Sequence, residues 1–569
     1  MKDGEQMRIM LALPLVFLAL VSVGPVACKS GGKQTTGGTS GAGGVTITGG
    51  SSGTGGSVST GDAAVAPDAT GDADARPALD ATCALPDYPL GVPFILTSGQ
   101  ALPFPSSTTR YALVLTQPGT EGAADVTVNA APTAAASPFP GALPAEPGCA
   151  TPASLGSEKG GPYPARVPAT VGAQASVVVN TPSGTGSVTV EVVYVNTAIV
   201  VAEDITTTNP KGRVSLADAT SLADRIQSYT LVRDQLVLGP SCDVDGDGHL
   251  VVILSPTVAA VGAGAYFNSY DLLFSTFQSG GNYSNGGEYL YVTSPNLIAA
   301  GSSVDAWLSH ELGHALHICS QFVRNGISGS HLNDTSVFVT EGVAHLAQDL
   351  AGMGDDQAII LQKLLERPSA FAVWDLFLAG RPAGSPSDDD GFAMRGGAYG
   401  FLRHLFDRCG GADYSTRGSV GDGGGIAFLR GYVAQKPLGI AGVEAAMGNS
   451  FDVLWRDFLL ALALSGRVDE SGQPVAQEAR YRFRPRLPDS DTGQMQGFDP
   501  RGEINVWGTH TVLSGPKLEQ LGAAVTLQAG QSSFFEVASG GACEARKVDV
   551  VQKVSSGTPG LDVFAVRLQ

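Results

Sequence analysis

The residues with the most chemical potential in this chain are His310-Glu311-Leu312-Gly313-His314, an HExxH. On an α-helix, positions i and i+4 point the same way, about 40° apart and one turn along. Two imidazoles so placed can bind one Zn2+ at about 2.0–2.1 Å, and the Glu between them can take a proton from a water on the ion. With only 8 His in 569 residues, the expected number of random matches is on the order of 0.003, so chance is a poor explanation.

A catalytic zinc needs a third protein ligand and an open position for water. His317 lies near His310 around the helix but about 10 Å further along its axis, so one rigid helix does not bring all three imidazoles to one ion. The spacing HExxHxxGxxH also fails, with His317 at the Gly position and Ser320 at the last His. His317 reads as a polar residue satisfied nearby. Glu341, in Val339-Thr340-Glu341-Gly342-Val343-Ala344-His345, completes a His2Glu set if a second helix faces the first. One and two turns beyond it, His345 and Asp349 are candidates to hydrogen-bond and orient the ligand imidazoles.

Two helices must position these groups. Ser302 followed by Asp305 resembles a capping box, and Val304, Leu308, Leu312 and Ala315 form one apolar stripe. His310 and His314 fall on the other side, near Trp307. Thr340 is the expected N-cap of the second helix, which runs to Leu350.

A second constellation is Asp243-Val-Asp245-Gly-Asp247-Gly248, which resembles the start of an EF-hand loop. Its twelfth position is Leu254 rather than the bidentate Glu, and a strand follows instead of a helix. Structural Ca2+ and an Asx-rich turn feeding a strand both remain open.

HExxH followed by a helix opening with EGxA/S is the gluzincin arrangement, and over roughly residues 215–465 the chain resembles the hyicolysin-type bacterial metallopeptidases. The stretches that carry the resemblance, in chain order, are DVDGDGHLVVILS, GAYFNSYDLLF, SNGGEYLYV, HELGHALHICSQ, VTEGVAHLAQDLAG, GGAYGFLRHLFDRCGG and GNSFDVLWRDFLLAL. Thr340 departs from the Asn often found there, which leaves ligation intact. The resemblance implies a zinc endopeptidase with His310, His314 and Glu341 as ligands and Glu311 as general base. It implies an oxyanion donor on a later helix, for which Tyr399 is the candidate with His404 behind it. It also implies that the strand Gly287 to Val292 is an edge holding an extended substrate.

The remaining chain sets the context. Lys+Arg number 34 against 53 Asp+Glu, a net charge of −19, which argues against a nucleic-acid partner needing a basic stripe. Lys2 and Arg8, the apolar run Ile9 to Val23, and Gly24-Pro25-Val26-Ala27-Cys28 read as a secretory signal peptide at 1–28 ending in a lipobox-like Cys28, with Pro25 where a lipobox usually has Leu. This places the protein outside the cytoplasm, in a bacterial cell envelope as a lipoprotein anchored at Cys28, or secreted. Residues 29–82 are a Gly/Ser/Thr/Ala-rich tether with too few apolar groups to fold. Six cysteines remain after Cys28, an even number suited to disulfides in an exported chain. There is no CxxC, Walker-type loop or nucleophile elbow.

The expected fold is α+β: a β-rich module at 83–205, a gluzincin-like zinc domain at 206–478, and a small C-terminal β domain at 479–569. The expected function is an exported zinc metalloendopeptidase acting on a protein or peptide through a metal-activated water. The rivals are a zinc hydrolase of another amide and a catalytically silent surface-binding lipoprotein. Retention of Glu311 speaks against silence, since binding alone needs only the ligands.

Overall fold

The computed structural model describes residues 84–569 apart from 119–122, 145–148, 150–162, 262, 276, 280–281, 295–303, 371–387, 507 and 555–559. The expected signal segment, Cys28, the tether and Ser302 lie outside the described residues. The chain is a mixture of helix and sheet, with a β-rich N-terminal part and a helical middle.

The first long strands are β1 (Gln100–Phe104), β2 (Arg110–Thr116) and β3 (Ala123–Thr133). Six further strands form one sheet: β4 (Gln174–Thr181), β5 (Gly184–Val195), β6 (Ile199–Asp204), β7 (Leu250–Leu254), β8 (Ala265–Phe267) and β9 (Tyr289–Val292). Their spatial order is β4-β5-β6-β7-β9-β8. The LVVIL run of β7 is apolar throughout because β6 and β9 flank it in parallel and both its faces are covered. Val252 and Leu254 join the core beneath the helices, while Val251 and Ile253 join a Val- and Tyr-rich cluster on the other face. The expected edge needs correcting. β9 is interior, and the antiparallel β8 lies outside it with Leu290 opposite Phe267. Ala265-Tyr266-Phe267 is too short a run to announce itself against the longer EYLYV.

The helical layer begins with α1 (Leu216–Arg225), which passes through a π-turn into α2 (Leu231–Leu238). The HExxH helix is α3 (Val304–Ile318), and α4 (Val337–Gln348) carries Glu341. Then come α5 (Ala358–Glu366), α6 (Asp388–Arg408), α7 (Gly425–Val433), α8 (Gly439–Met447) and α9 (Phe451–Leu464). The N-cap of α4 is Ser336, whose hydroxyl accepts from the Val339 amide at 3.2 Å, not Thr340 as expected. Phe338 is fully buried against Phe401 and Trp455, so the first turn is held by packing one turn earlier than the cap pattern suggests. Among the described residues no helix is long and apolar enough to cross a membrane.

Four strands close the chain: β10 (Ala524–Gln528), β11 (Ser532–Ala538), β12 (Glu544–Val554) and β13 (Asp562–Arg567). They do not form a separate body. β12 pairs with β1 and β3, β10 pairs with β3, and β11 and β13 flank β2. The two ends of the described chain therefore build one sandwich, and β4–β6 leave the N-terminal stretch to complete the sheet below the helices. The boundaries drawn at 205 and 479 follow texture, whereas strand pairing follows open edges that need covering. Leu113 and Leu115 of β2 face the sandwich core, while Ala112 and Val114 face the helical core. Two disulfides, Cys149–Cys409 and Cys242–Cys319, span 260 and 77 residues, and Cys543 is disulfide-bonded as well.

Candidate metal centre

α3 is buried from Leu308 to Ile318, so the side expected to be polar faces an interior pocket of side chains rather than solvent. α4 crosses it where both helices are small. A Cβ on Gly313 would sit 3.0 Å from the Ala344 Cα and 3.1 Å from the Ala347 Cβ. Gly342 serves the other side of α4, since a Cβ there would come within 2.6 Å of the Ala398 carbonyl oxygen on α6. These two glycines let three helices approach closely enough for short acidic and long basic side chains to meet.

The structure brings His310, His314 and Glu341 together. The Nε2 atoms of the two imidazoles are 3.2 Å apart. His310 Nε2 lies 3.7 Å from Glu341 Oε2, and His314 Nε2 lies 3.7 Å from Glu341 Oε1. Ligands held tetrahedrally at about 2.0–2.1 Å sit roughly 3.3–3.4 Å from one another, so shifts of a few tenths of an ångström suffice for one ion. Glu341 Oε2 is buried without a hydrogen-bond partner, which is costly unless something else satisfies it. A buried carboxylate oxygen beside two imidazoles is the donor set zinc takes, and the residues fit that ion.

Burial governs the protonation of all these groups. It holds His310 well below the usual histidine range, with His345, His314 and Arg395 adding to the effect. Burial and then Arg395 push His314 down to about 3. Both rings are therefore neutral and keep a lone pair for a cation. Burial also raises Glu341, against the pull of Arg395. Glu311 is raised well above the usual range by burial and by Glu341, while the Phe267 amide and Arg395 oppose this. Phe267 N–H donates to Glu311 Oε2 at 2.9 Å, tying the Glu to the end of edge strand β8.

The structure also reassigns the surrounding residues. His345 stands at the centre, its ring 4.3 Å from that of His310 and its Nε2 3.9 Å from Glu341 Oε2. A cation could equally be reached by His310, Glu341 and His345, whose ligand atoms lie within 4.8 Å of one another. Asp349 and Tyr399 do not belong there. The Tyr399 hydroxyl donates to Asp349 Oδ2 at 2.8 Å, and Arg403 Nη1 donates to the same oxygen at 2.6 Å. Asp349 is thus saturated by α6 and by the Gly497 amide; eight residues after Glu341, it stands about 12 Å further along the helix axis. His404 is hydrogen-bonded to the Arg480 carbonyl, and His317 to the Tyr432 hydroxyl at 3.1 Å.

Arg395, for which the sequence motifs make no provision, comes to the centre one turn before Tyr399 on α6. Its Nε is 3.6 Å from Glu341 Oε2, and it is buried. The only signal for it in the sequence is a lone cationic residue among small and apolar neighbours in Ala393-Met394-Arg395-Gly396-Gly397. The Asp-rich loop lies apart from this centre. Oxygens of Asp243, Asp245 and Asp247 fall within 4.8 Å of one another. The Gly248 and His249 amides donate to Asp243 and Asp247 at 3.1 and 2.8 Å, and burial with the neighbouring Asp247 raises Asp245 to about 6.

No protein-family model matches the chain, and no curated protein matches it in sequence. Among solved structures, a two-domain M1 zinc metallopeptidase, a mutant bound to L-arginine, is similar over 56% of this chain and 54% of its own, with 12% identity and a TM-score of 0.24. The chain spans about half the length of that protein. At that TM-score the likeness carries no weight beside the geometry, and it does not speak for the hyicolysin-type family in particular.

Proposed function

We propose that this protein is an exported zinc metallopeptidase of the gluzincin type, with His310, His314 and Glu341 holding the ion. The observation that carries the reading is the buried, unsatisfied Glu341 carboxylate within 3.7 Å of both HExxH imidazoles. Zinc, when bound, supplies a Lewis acid that polarises a carbonyl and makes water a nucleophile near neutral pH. Glu311 takes the proton from that water and delivers it to the leaving amine. Its carboxyl, raised by burial, is a stronger base than an exposed one, and the Phe267 amide holds it in place. Arg395, its Nε 3.6 Å from Glu341 Oε2, offsets part of the carboxylate's charge without hydrogen-bonding that oxygen. β8 is the edge nearest Glu311 and offers its backbone to an extended peptide. The substrate is a protein or peptide, the membrane is reached through Cys28, and the disulfides accord with export.

A second reading rests on His345. If its ring occupies the fourth position, the site is closed by four protein ligands and the metal is structural. The experiment is metal content and hydrolysis of an unfolded protein by the purified chain, with and without chelator, for the parent, Glu311→Gln and His345→Gln. The peptidase reading expects one zinc per chain in all three and loss of turnover in Glu311→Gln alone. Loss of zinc in His345→Gln, with no turnover in the parent, would establish the closed site instead.

A further inference from the structure

The Asp-rich loop lacks the twelfth-position Glu of an EF-hand, yet a glutamate reaches it from elsewhere in the fold. Glu288 stands immediately before β9, the parallel neighbour of β7, and the loop leads directly into β7. The Val251 amide donates to the Glu288 carbonyl at 2.8 Å, which locks the two chain segments side by side. The Glu288 side chain then turns to the loop: its Oε1 accepts from the Val244 amide, between Asp243 and Asp245. Gly287 packs against the same group, since a Cβ there would come 3.0 Å from Asp245 Oδ2. Glu288 is 5% exposed, and its second oxygen, Oε2, is buried without a hydrogen-bond partner, as is Asp247 Oδ2.

A fully buried carboxylate oxygen left unsatisfied beside three aspartates is a costly arrangement in itself. A hard cation removes that cost. Ca2+ takes six to eight oxygens at about 2.3–2.6 Å, so oxygens across its sphere stand roughly 4.6–5.2 Å apart, and the aspartate oxygens lie within 4.8 Å of one another. Mg2+ demands a tighter octahedron and keeps its waters, which suits this loose carboxylate ring less well. We propose that Asp243, Asp245, Asp247 and Glu288 form a Ca2+ site, with Glu288 replacing the missing twelfth-position ligand from an adjacent strand. The ion joins the starts of β7 and β9, and through β9 steadies the edge strand β8 whose Phe267 amide holds Glu311. Cys242, bonded to Cys319 just beyond α3, anchors the same loop from its other side.

The site stands independently of the zinc reading and is tested in a form that separates the two. The full chain carrying Glu311→Gln, which removes self-digestion as a cause of any stability change, is compared with the same chain carrying Glu288→Gln or Asp245→Asn. Thermal unfolding is followed in Ca2+-free buffer and at about 5 mM Ca2+ or Mg2+, a concentration well above the Kd of all but the weakest calcium sites, and bound calcium and zinc are counted separately. The expected result is one bound calcium per chain and a Ca2+-specific rise in Tm of roughly 2–5 °C, both absent in Glu288→Gln and Asp245→Asn. Glu288→Gln keeps the acceptor for the Val244 amide, so it should unfold at the parent's Tm without Ca2+. Absence of a Ca2+ response in the parent overturns the site, and a full response in Glu288→Gln overturns the role of Glu288. Zinc loss with the Ca2+ response intact would count against the peptidase reading only.

Discussion

Two carboxylate–guanidinium pairs sit on the same two neighbouring helical segments, about two turns apart. Asp349 and Arg403 make the outer pair, with a 2.6 Å contact, the Tyr399 hydroxyl on the same oxygen, and the Gly497 amide on the carboxylate. Glu341 and Arg395 make the inner pair, 3.6 Å apart, with Glu341 Oε2 buried and unsatisfied and imidazoles on its other side. Both pairs are buried, and they differ in satisfaction. A saturated pair supports the fold, whereas a carboxylate kept waiting beside neutral imidazoles is prepared for something the protein does not itself supply.

The largest effect expected is on turnover. Glu311→Gln should lower peptide hydrolysis by about a hundred- to ten-thousand-fold while zinc content stays at one per chain, measured by metal analysis and single-substrate kinetics. A variant that kept full turnover would remove the general base from the inner site. Next, Asp349→Ala should cost about 1–3 kcal/mol of stability, since Tyr399 and Gly497 lose a buried acceptor while Arg403 keeps Asp407 at 3.0 Å, with zinc retained in the folded fraction. Loss of zinc at unchanged stability would erase the distinction between the pairs. Gly342→Ala tests the close approach that lets α4 reach α6. It should cost about 1–3 kcal/mol despite the better helix propensity of Ala, as read by denaturant unfolding.

Asp271 extends the comparison to a carboxylate satisfied by uncharged donors, the Tyr291 hydroxyl at 2.7 Å and the Asn285 amide. Burial raises it to about 7, so the folded protein holds a proton there that the unfolded chain, with its ordinary carboxylate near 4, releases. That contribution is complete below the unfolded value and is lost as pH rises through about 7. Asp271→Asn should therefore flatten the fall in stability between about pH 4 and pH 7, by at most about 1.4 kcal/mol per pH unit. The smallest effect is that of Tyr399→Phe, about 1 kcal/mol for one hydrogen bond, with turnover within a few-fold of the parent. A drop of a hundred-fold would return Tyr399 to the active site.

Much of the inner site is legible in the residues because it is local. His310, Glu311 and His314 lie within little more than one turn of a single helix, and Glu341 opens the motif of the next. Tyr399 and Asp349 lie further along their helices than the centre: Arg395 takes the position one turn before Tyr399, and Asp349, two turns past Glu341, is held by Arg403. The strands fared in the same way. Tyr111 to Leu115 and Val188 to Val195 alternate or run apolar as strands do, and both lie in strands. Their partners, however, are hundreds of residues away in one case and adjacent in the other, and period-two texture is the same for both.

By itself the sequence determined the HExxH and Glu341 motifs and the longer helices and strands, since those depend on side-chain type and on spacing within a few residues. The tertiary structure alone decided that both ends of the described chain share one sandwich, that β8 and not β9 is the edge, that Arg395 faces Glu341, and that Glu288 reaches the Asp243 loop. Each of these joins groups far apart in the chain, and the energy that selects them comes from covering strand edges and satisfying buried polar atoms, which no short window of sequence encodes.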